Sequence, residues 1–176
     1  MTTMTWPEKT EFAVITRIQN PDWATAFDHM ERMITEGLAS PYVRELASRF
    51  VFEPDPVYSI FQFVRARYPY TNDPDRKELF YGPHRLAQEY LDLGVSHGAD
   101  CDDHAMYTAC LVAVGAARPV RVEITDYEDY PNLWHAFAET FSQAQNRWIA
   151  VDTSSGLPLG WYVPYRNKIM EFVIEE

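Results

Sequence analysis

Residues 98–105 read Gly-Ala-Asp-Cys-Asp-Asp-His-Ala. It leads into a nearly all-apolar run from Ala105 to Val114, which Gly115 ends. Apolar residues on every side of a segment predict a buried helix, and glycine is typical of the position just past a helix end. We therefore predict a central helix that begins at Cys101.

The place of Cys101 in the first turn of this helix favours a nucleophilic thiol. Asp100 can accept hydrogen bonds from first-turn N–H groups, and Asp103 occupies the third helical position. The positive end of the helix dipole lowers the pKa of such a cysteine, and the N–H groups can stabilise an oxyanion. The alternative interpretation of Cys101 is a small core residue. Cys110, deep in the apolar part of the helix, is interpreted as core.

A thiolate nucleophile needs a histidine partner from elsewhere in the fold. His135 is the best candidate because it lies in a predicted strand, and the next predicted strand leads directly to Asp152. Pairing Thr140 with Arg147 in this hairpin would set His135 opposite Asp152 on one face, where the carboxylate can hold the imidazole. The alternative is a satisfied core histidine beside a turn aspartate. We predict His135 as the base and Asp152 as the residue that orients it.

Three motifs occur in a fixed order along the chain: residues 98–105, His-Ala-Phe-Ala-Glu at 135–139, and Trp-Ile-Ala-Val-Asp-Thr at 148–153. Together they resemble the transglutaminase-like superfamily, and most closely its small bacterial and prophage-associated members. Those proteins carry Gly-Asp-Cys-Asp-Asp, then His-x-aromatic-x-Glu, then Asp-x-Thr or Asp-Thr. The resemblance covers roughly residues 23 to 165. Ala99 is a departure, since the family usually has another small residue or glycine there.

The resemblance implies a papain-like α+β fold, in which the cysteine helix packs on a C-terminal antiparallel sheet. It implies acyl transfer by Cys101, His135 and Asp152, in which an amide or ester carbonyl is attacked and water or an amine resolves the acyl-enzyme. The family has a second oxyanion donor upstream of the cysteine, and the resemblance implies Tyr70 at that position, with Gln88 as a weaker choice; the alternative for Tyr70 is a loop aromatic that packs on the surface. The expected partner is a protein, peptide or other amide-containing substrate, and no cofactor is expected.

The remaining chain is expected to form one domain over residues 1–176, with a helical part at about 20–115 and a sheet part at about 118–176. Gly37 is expected to end the first helix. Helices are predicted to start near Pro21, Pro41, Pro56, His84 and Cys101, and strands are predicted over 12–18, 120–124, 134–141 and 147–151.

Composition narrows the functional class. The chain of 176 residues is 47% hydrophobic, and its net charge of −11 argues against nucleic acid as a partner. It lacks the roughly 18 uninterrupted apolar residues of a membrane span, and Met1 to Trp6 lacks the features of a signal peptide. We expect a cytoplasmic protein, in the host cytoplasm if phage-encoded, with two free thiols and no membrane association.

Two rival functions remain open at this stage. His97, Cys101 and His104, with Asp102 or Asp103, have the donor types of a zinc site, although the sequence lacks a second cysteine or histidine pair at ligand spacing. The chain could also be a structural or assembly protein, of phage origin for example, that keeps the fold and the triad positions without using them. The oligomeric state and the substrate are not indicated by the sequence.

Overall fold

The computed structural model describes residues 23–73, 79–94, 96, 98–127 and 134–174. Within these ranges five helices lead in chain order to four strands, as the sequence predicted for an α+β fold. The helices are α1 (Trp23–Ala39), α2 (Pro41–Ser48), α3 (Pro56–Arg67), α4 (Pro83–Leu93) and α5 (Cys101–Gly115). The strands are β1 (Val120–Tyr127), β2 (Trp134–Ser142), β3 (Arg147–Val151) and β4 (Tyr165–Ile174). The predicted strand at 12–18 lies outside the described residues.

Local capping explains where the helices begin and end. The side chain of Ser40 accepts from the Val43 N–H at the start of α2, and Asp55 does the same for Tyr58 at the start of α3. Proline follows each cap, where a missing N–H costs nothing. Gly94 ends α4 with a left-handed φ of 71°. None of the helices in the described ranges is long and apolar enough to cross a membrane.

The prediction for Gly37 was wrong, because α1 continues past it to Ala39. A Cβ at Gly37 would stand 2.8 Å from Cβ of Pro83 and 2.9 Å from Sγ of Cys110. The glycine therefore serves close packing of α1 against α4 and α5. It does not supply a left-handed turn.

The strands form an antiparallel sheet in the order β3-β2-β1-β4. Helix α5 packs on one face of this sheet, where the small and branched side chains of β1 and β2 are buried. They are Val120, Val122, Ile124, Ala136 and Ala138. Alternation along each strand sends the intervening residues, His135 among them, to the other face. The position of β4 at the sheet edge was not predicted.

That other face carries a buried cluster of charges. Arg121 pairs with Glu123 at 3.0 Å and also with Glu139, and Lys168 pairs with Glu123. Both glutamates are fully buried, and the Tyr162 hydroxyl donates to Glu139. Burial and the Glu139 carboxylate raise the pKa of Glu123 to about 7, against the opposing effect of the two cations. These contacts pair both buried carboxylates with cationic side chains.

A backbone bridge links the segment after α3 to the segment just before α5. Tyr70 forms an isolated parallel bridge with Ala99, through Thr71 N–H to Ala99 O at 3.0 Å and Ala99 N–H to Pro69 O at 3.2 Å. Gly98 precedes this bridge with a φ of +105°. A Cβ there would lie 2.1 Å from Oγ1 of Thr71 and 2.8 Å from the Pro69 oxygen. Both the conformation and the space require glycine.

We therefore expect Gly98→Ala to lower the free energy of unfolding by about 1–3 kcal/mol more than Gly94→Ala. The two glycines both have positive φ, but nothing lies within 4 Å of a Cβ at Gly94. Gly94→Ala therefore measures the cost of a positive φ alone. The difference between the two variants measures the steric conflict of a Cβ at position 98 with Thr71 and Pro69. Urea unfolding of both variants measures it, and equal losses would contradict the packing described for Gly98.

Candidate active site

Cys101 is the first residue of α5 and is partly exposed, whereas Cys110 is fully buried on the same helix. Both are free thiols, as the sequence predicted. The Cys110 sulfur lies 3.5 Å from the Ile34 carbonyl oxygen, and burial raises the pKa of its thiol. Only Cys101 combines exposure with a helix N-terminus, where N–H groups can act on a bound group.

His135 and Asp152 form a buried pair. Nε2 of His135 lies 2.7 Å from Oδ2 of Asp152, so Nδ1 is the ring nitrogen on the side away from the carboxylate. The other oxygen, Oδ1, accepts from the N–H and hydroxyl of Ser154 and from the N–H of Ser155. Burial acts to raise the pKa of Asp152, but His135 and these donors outweigh it and lower the pKa to about 2. The carboxylate is therefore ionised at neutral pH and fixes the ring.

The predicted hairpin register was wrong by two residues. Thr140 pairs with Ile149, and Ser142 pairs with Arg147. Continuing this register past β3 sets Asp152 across from Phe137, so the carboxylate reaches His135 diagonally. A shift of two preserves the side of the sheet on which each residue lies, which is why the pair still meets.

The backbone after Asp152 is also held by a side chain of α3. Arg65 of α3 donates from Nη1 to the Leu157 oxygen at 2.9 Å and from Nη2 to the Gly156 oxygen at 3.1 Å. The His135 ring stacks on Phe137 at 5.7 Å between centroids. Contacts on both members of the pair therefore restrict the orientation of the imidazole.

Thr153 connects this pair to the cysteine helix. Its hydroxyl lies 2.9 Å from Nδ1 of His104 and 3.0 Å from the hydroxyl of Thr108. His104 is one turn after Cys101, and Asp152 immediately precedes Thr153. His135 is the second residue of β2, so it lies at the same end of the sheet as the end of β3. The first turn of α5 and the imidazole–carboxylate pair thus share one end of the sheet.

Tyr70 also lies at this end. Its backbone bridges Ala99, two residues before Cys101, and its ring stacks on that of His104 at 6.5 Å and 29°. Half of its surface is exposed. Burial lowers the pKa of His104 to about 4, although the Asp152 carboxylate and the Tyr68 carbonyl act to raise it. His104 is therefore neutral at pH 7. Gln88 is partly buried on α4.

Three carboxylates surround the start of α5. Oxygens of Asp100, Asp102 and Asp103 all lie within 4.8 Å of one another. Asp100 makes no capping hydrogen bond, contrary to the prediction, and Asp103 instead accepts from the Tyr81 N–H at 2.6 Å. Within the described part of the chain, four buried oxygens of this cluster have no hydrogen-bond partner, both those of Asp102 among them. The sequence had suggested Asp102 or Asp103 only as additional ligands beside His97, Cys101 and His104, so a cluster made of the three aspartates alone was not predicted.

The three carboxyl groups of this cluster lie close together and repel one another when they are ionised. Burial, and next the neighbouring carboxylates, raise the pKa of both Asp102 and Asp103 well above the ordinary value. The repulsion can be relieved by retained protons or by a cation, and oxygen donors suit hard divalent ions.

The zinc hypothesis gains no support from this geometry. Among the described residues, the group compact enough to hold a metal consists of the three aspartates alone, without Cys101 or His104. Nδ1 of His104 is engaged with Thr153. His97, the third proposed ligand, lies outside the described residues.

Comparisons with solved structures identify the fold. A protein from Cytophaga hutchinsonii, provisionally described as a cysteine protease, matches with a TM-score of 0.51 and 15% identity over 79% of this chain and 46% of that chain. Calcium-bound LapG of Legionella pneumophila matches with a TM-score of 0.47 and 16% identity over 87% of this chain and 77% of that chain. No family model and no curated protein matches the sequence. This chain spans less than half of the first protein, and the likeness shows the papain-like, transglutaminase-like fold alone.

The hydrogen-bonded Asp152 carboxylate gives a pH-dependent prediction. The folded state lowers the pKa of Asp152 from 3.8 to about 2. The carboxylate therefore contributes stability that is present above the unfolded pKa and lost as the pH falls through the folded one. We expect Asp152→Asn to lower the free energy of unfolding at pH 7 by on the order of 2 kcal/mol, and this difference to shrink as the pH falls from about 5 towards 2.

Urea unfolding of both proteins across that pH range measures the difference. Asp92→Asn is the matched control, because Asp92 is exposed on α4. A difference that stays constant from neutral to acid pH would contradict an ionised, hydrogen-bonded Asp152.

Proposed function

We propose that this chain, which has the papain-like fold of transglutaminase-like thiol proteins, catalyses acyl transfer from a protein or peptide substrate with Cys101 as nucleophile. The observation that carries the proposal is the buried His135–Asp152 pair, joined through Thr153 to the helix that begins at Cys101. A partly exposed thiol, an oriented imidazole and a carboxylate are the groups that such chemistry requires.

In the proposed reaction the Cys101 sulfur attacks the carbonyl carbon of an amide. His135, holding the thiol proton on Nδ1, gives that proton to the leaving amine as the C–N bond breaks, which leaves a thioester. Water or a second amine then attacks the thioester and loses a proton to His135, so that the acyl product leaves and the thiol is restored. Asp152 keeps Nε2 protonated throughout, because it accepts from that nitrogen.

The oxyanion formed in each attack is proposed to bind at the start of α5. Backbone N–H groups of a first helical turn point outward and carry partial positive charge. Tyr70, which bridges Ala99 and is half exposed, is proposed to supply a second donor through its hydroxyl. Preorganised donors of this kind are worth about 10²–10³ in kcat each.

The carboxylates beside Cys101 oppose formation of its thiolate. Asp102 interacts unfavourably with the negative form of Cys101 as well as with Asp100 and Asp103. We propose that Asp100, Asp102 and Asp103 hold a divalent cation through their carboxylate oxygens, which fits the buried and unpartnered state of those oxygens. When bound, the cation would supply positive charge beside the nucleophile.

The test of the nucleophile uses thiol labelling and activity together. In a Cys110→Ala background, with CaCl₂ or MgCl₂ present, we expect Cys101 to react with iodoacetamide at a pH well below the value of about 8.5 at which a free cysteine titrates. We expect Cys101→Ala to abolish hydrolysis or amine transfer on a panel of peptide, peptidoglycan-fragment and glutamine-donor substrates, while Cys110→Ala retains it.

The same panel separates the competing functions. Release of free acid without added amine indicates a hydrolase, and incorporation of an amine indicates a transferase. A wild-type Cys101 that labels like a free cysteine, together with no activity on any substrate, would overturn the enzyme and favour the structural or assembly role.

The cation is tested on the folded protein. We expect CaCl₂ or MgCl₂ to raise the melting temperature over EDTA, because an ion bound only to the folded state adds about 2.7 kcal/mol at 100 times its Kd. Asp102→Asn should remove this gain, whereas Asp92→Asn, an exposed change on α4, should keep it. Equal melting temperatures with ion and with EDTA would mean that the carboxylates are relieved by protons instead.

A further inference from the structure

His104 occupies an unusual place for a buried histidine. It lies on α5 one turn after Cys101, and only 2% of its surface is exposed. It contacts side chains from two other parts of the fold, the segment after β3 and the segment after α3. Those two segments carry Asp152 and Tyr70, the residues proposed to orient the base and to stabilise the oxyanion.

The contact with the first segment is a directed hydrogen bond. Nδ1 of His104 lies 2.9 Å from the Thr153 hydroxyl, which in turn lies 3.0 Å from the Thr108 hydroxyl. Thr153 is covalently joined to Asp152, so the pair of bonds fixes the strand end on two successive turns of α5. A hydroxyl held by two buried partners has little freedom to shift.

The contact with the second segment is a ring stack. The Tyr70 ring lies parallel to the His104 ring to within 29°. Tyr70 is otherwise half exposed, and its backbone is held by the bridge to Ala99. The stack on His104 therefore gives the Tyr70 side chain a preferred direction at the start of α5.

We propose that His104 is a positioning residue, whose hydrogen bond to Thr153 sets the Asp152–His135 pair against Cys101 and whose ring face sets Tyr70. The role rests on the proposed acyl-transfer function. His104 acts through Thr153 and Tyr70, and it is distinct from the base. An aromatic residue that only filled space would not need a nitrogen facing Thr153, and this is the difference that variants can separate.

The experiment compares two substitutions in the Cys110→Ala background. His104→Asn keeps a polar atom at the position of Nδ1 and loses the ring, while His104→Phe keeps a ring and loses the hydrogen bond. Thr153→Val removes the hydroxyl that bonds to His104, and Thr153→Ser keeps a hydroxyl at that position. The measurements are the rate of iodoacetamide labelling at Cys101, kcat and KM on the best substrate of the panel, and urea unfolding.

We expect His104→Phe and Thr153→Val each to lower kcat and the labelling rate by about tenfold with little change in KM. Thr153→Ser should stay within about threefold of wild type, and His104→Asn should recover most of the labelling rate but less of kcat, because Tyr70 loses its stack. The double variant His104→Phe with Thr153→Val should be no worse than Thr153→Val alone, since that change already removes the bond to His104 along with the bond to Thr108.

The outcomes separate this role from the proposed function. Wild-type activity with a reactive Cys101 supports the function whatever the variants do. If, in that case, His104→Phe and Thr153→Val match wild type, His104 is a packing residue and the positioning role is overturned. If His104→Phe fails to fold, the Thr153→Val and Thr153→Ser pair decides the matter alone. An inactive wild type whose Cys101 labels like a free thiol overturns the function and this role together.

Discussion

The hydrogen bonds of Thr153 with His104 and Thr108 hold the end of β3 against α5, and the candidate site depends on them. The proposed nucleophile and the proposed base come from different layers of the fold, Cys101 from a helix and His135 from the sheet. Their mutual geometry is therefore set by how these layers dock. A polar contact buried between the layers fixes their relative position along the helix, which apolar packing alone leaves free to slide.

Charge is the second constraint on the site. The N-terminus of a helix carries roughly half a positive charge, but three carboxylates stand within the first turn of α5. Burial and mutual repulsion raise the pKa of Asp102 and Asp103, so the charge beside Cys101 depends on whether these carboxyl groups hold protons or a cation as well as on the helix dipole. The same fold can thus present a reactive or an unreactive thiol, depending on what those carboxylates bind.

Features whose cause lies within a few neighbouring residues could be predicted from the sequence, whereas features that depend on contacts between distant segments could not. The start of α3 was predictable because Asp55 caps it within three residues. Gly37 was misjudged because its reason is a neighbour on another helix, and β4 was missed because its pairing with β1 has register shifts that break the alternation. The motifs indicated Cys101 and His135 as candidates. The link from His104 to Thr153 was not predictable, since it joins residues far apart in the sequence whose docking no local pattern encodes.

The close approach at Gly37 has a consequence for oxidation chemistry. The Cys110 sulfur lies 2.9 Å from where a Cβ on Gly37 would stand, which leaves no room for oxygen atoms on that sulfur. Conversion to a sulfinic or sulfonic acid would require α1 to separate from α5, because each oxygen adds volume and polarity where the helices touch. Oxidised Cys110 in protein recovered from cells would therefore show that α1 had separated from α5 in those molecules. The oxidised fraction would increase with the time for which the core had been exposed.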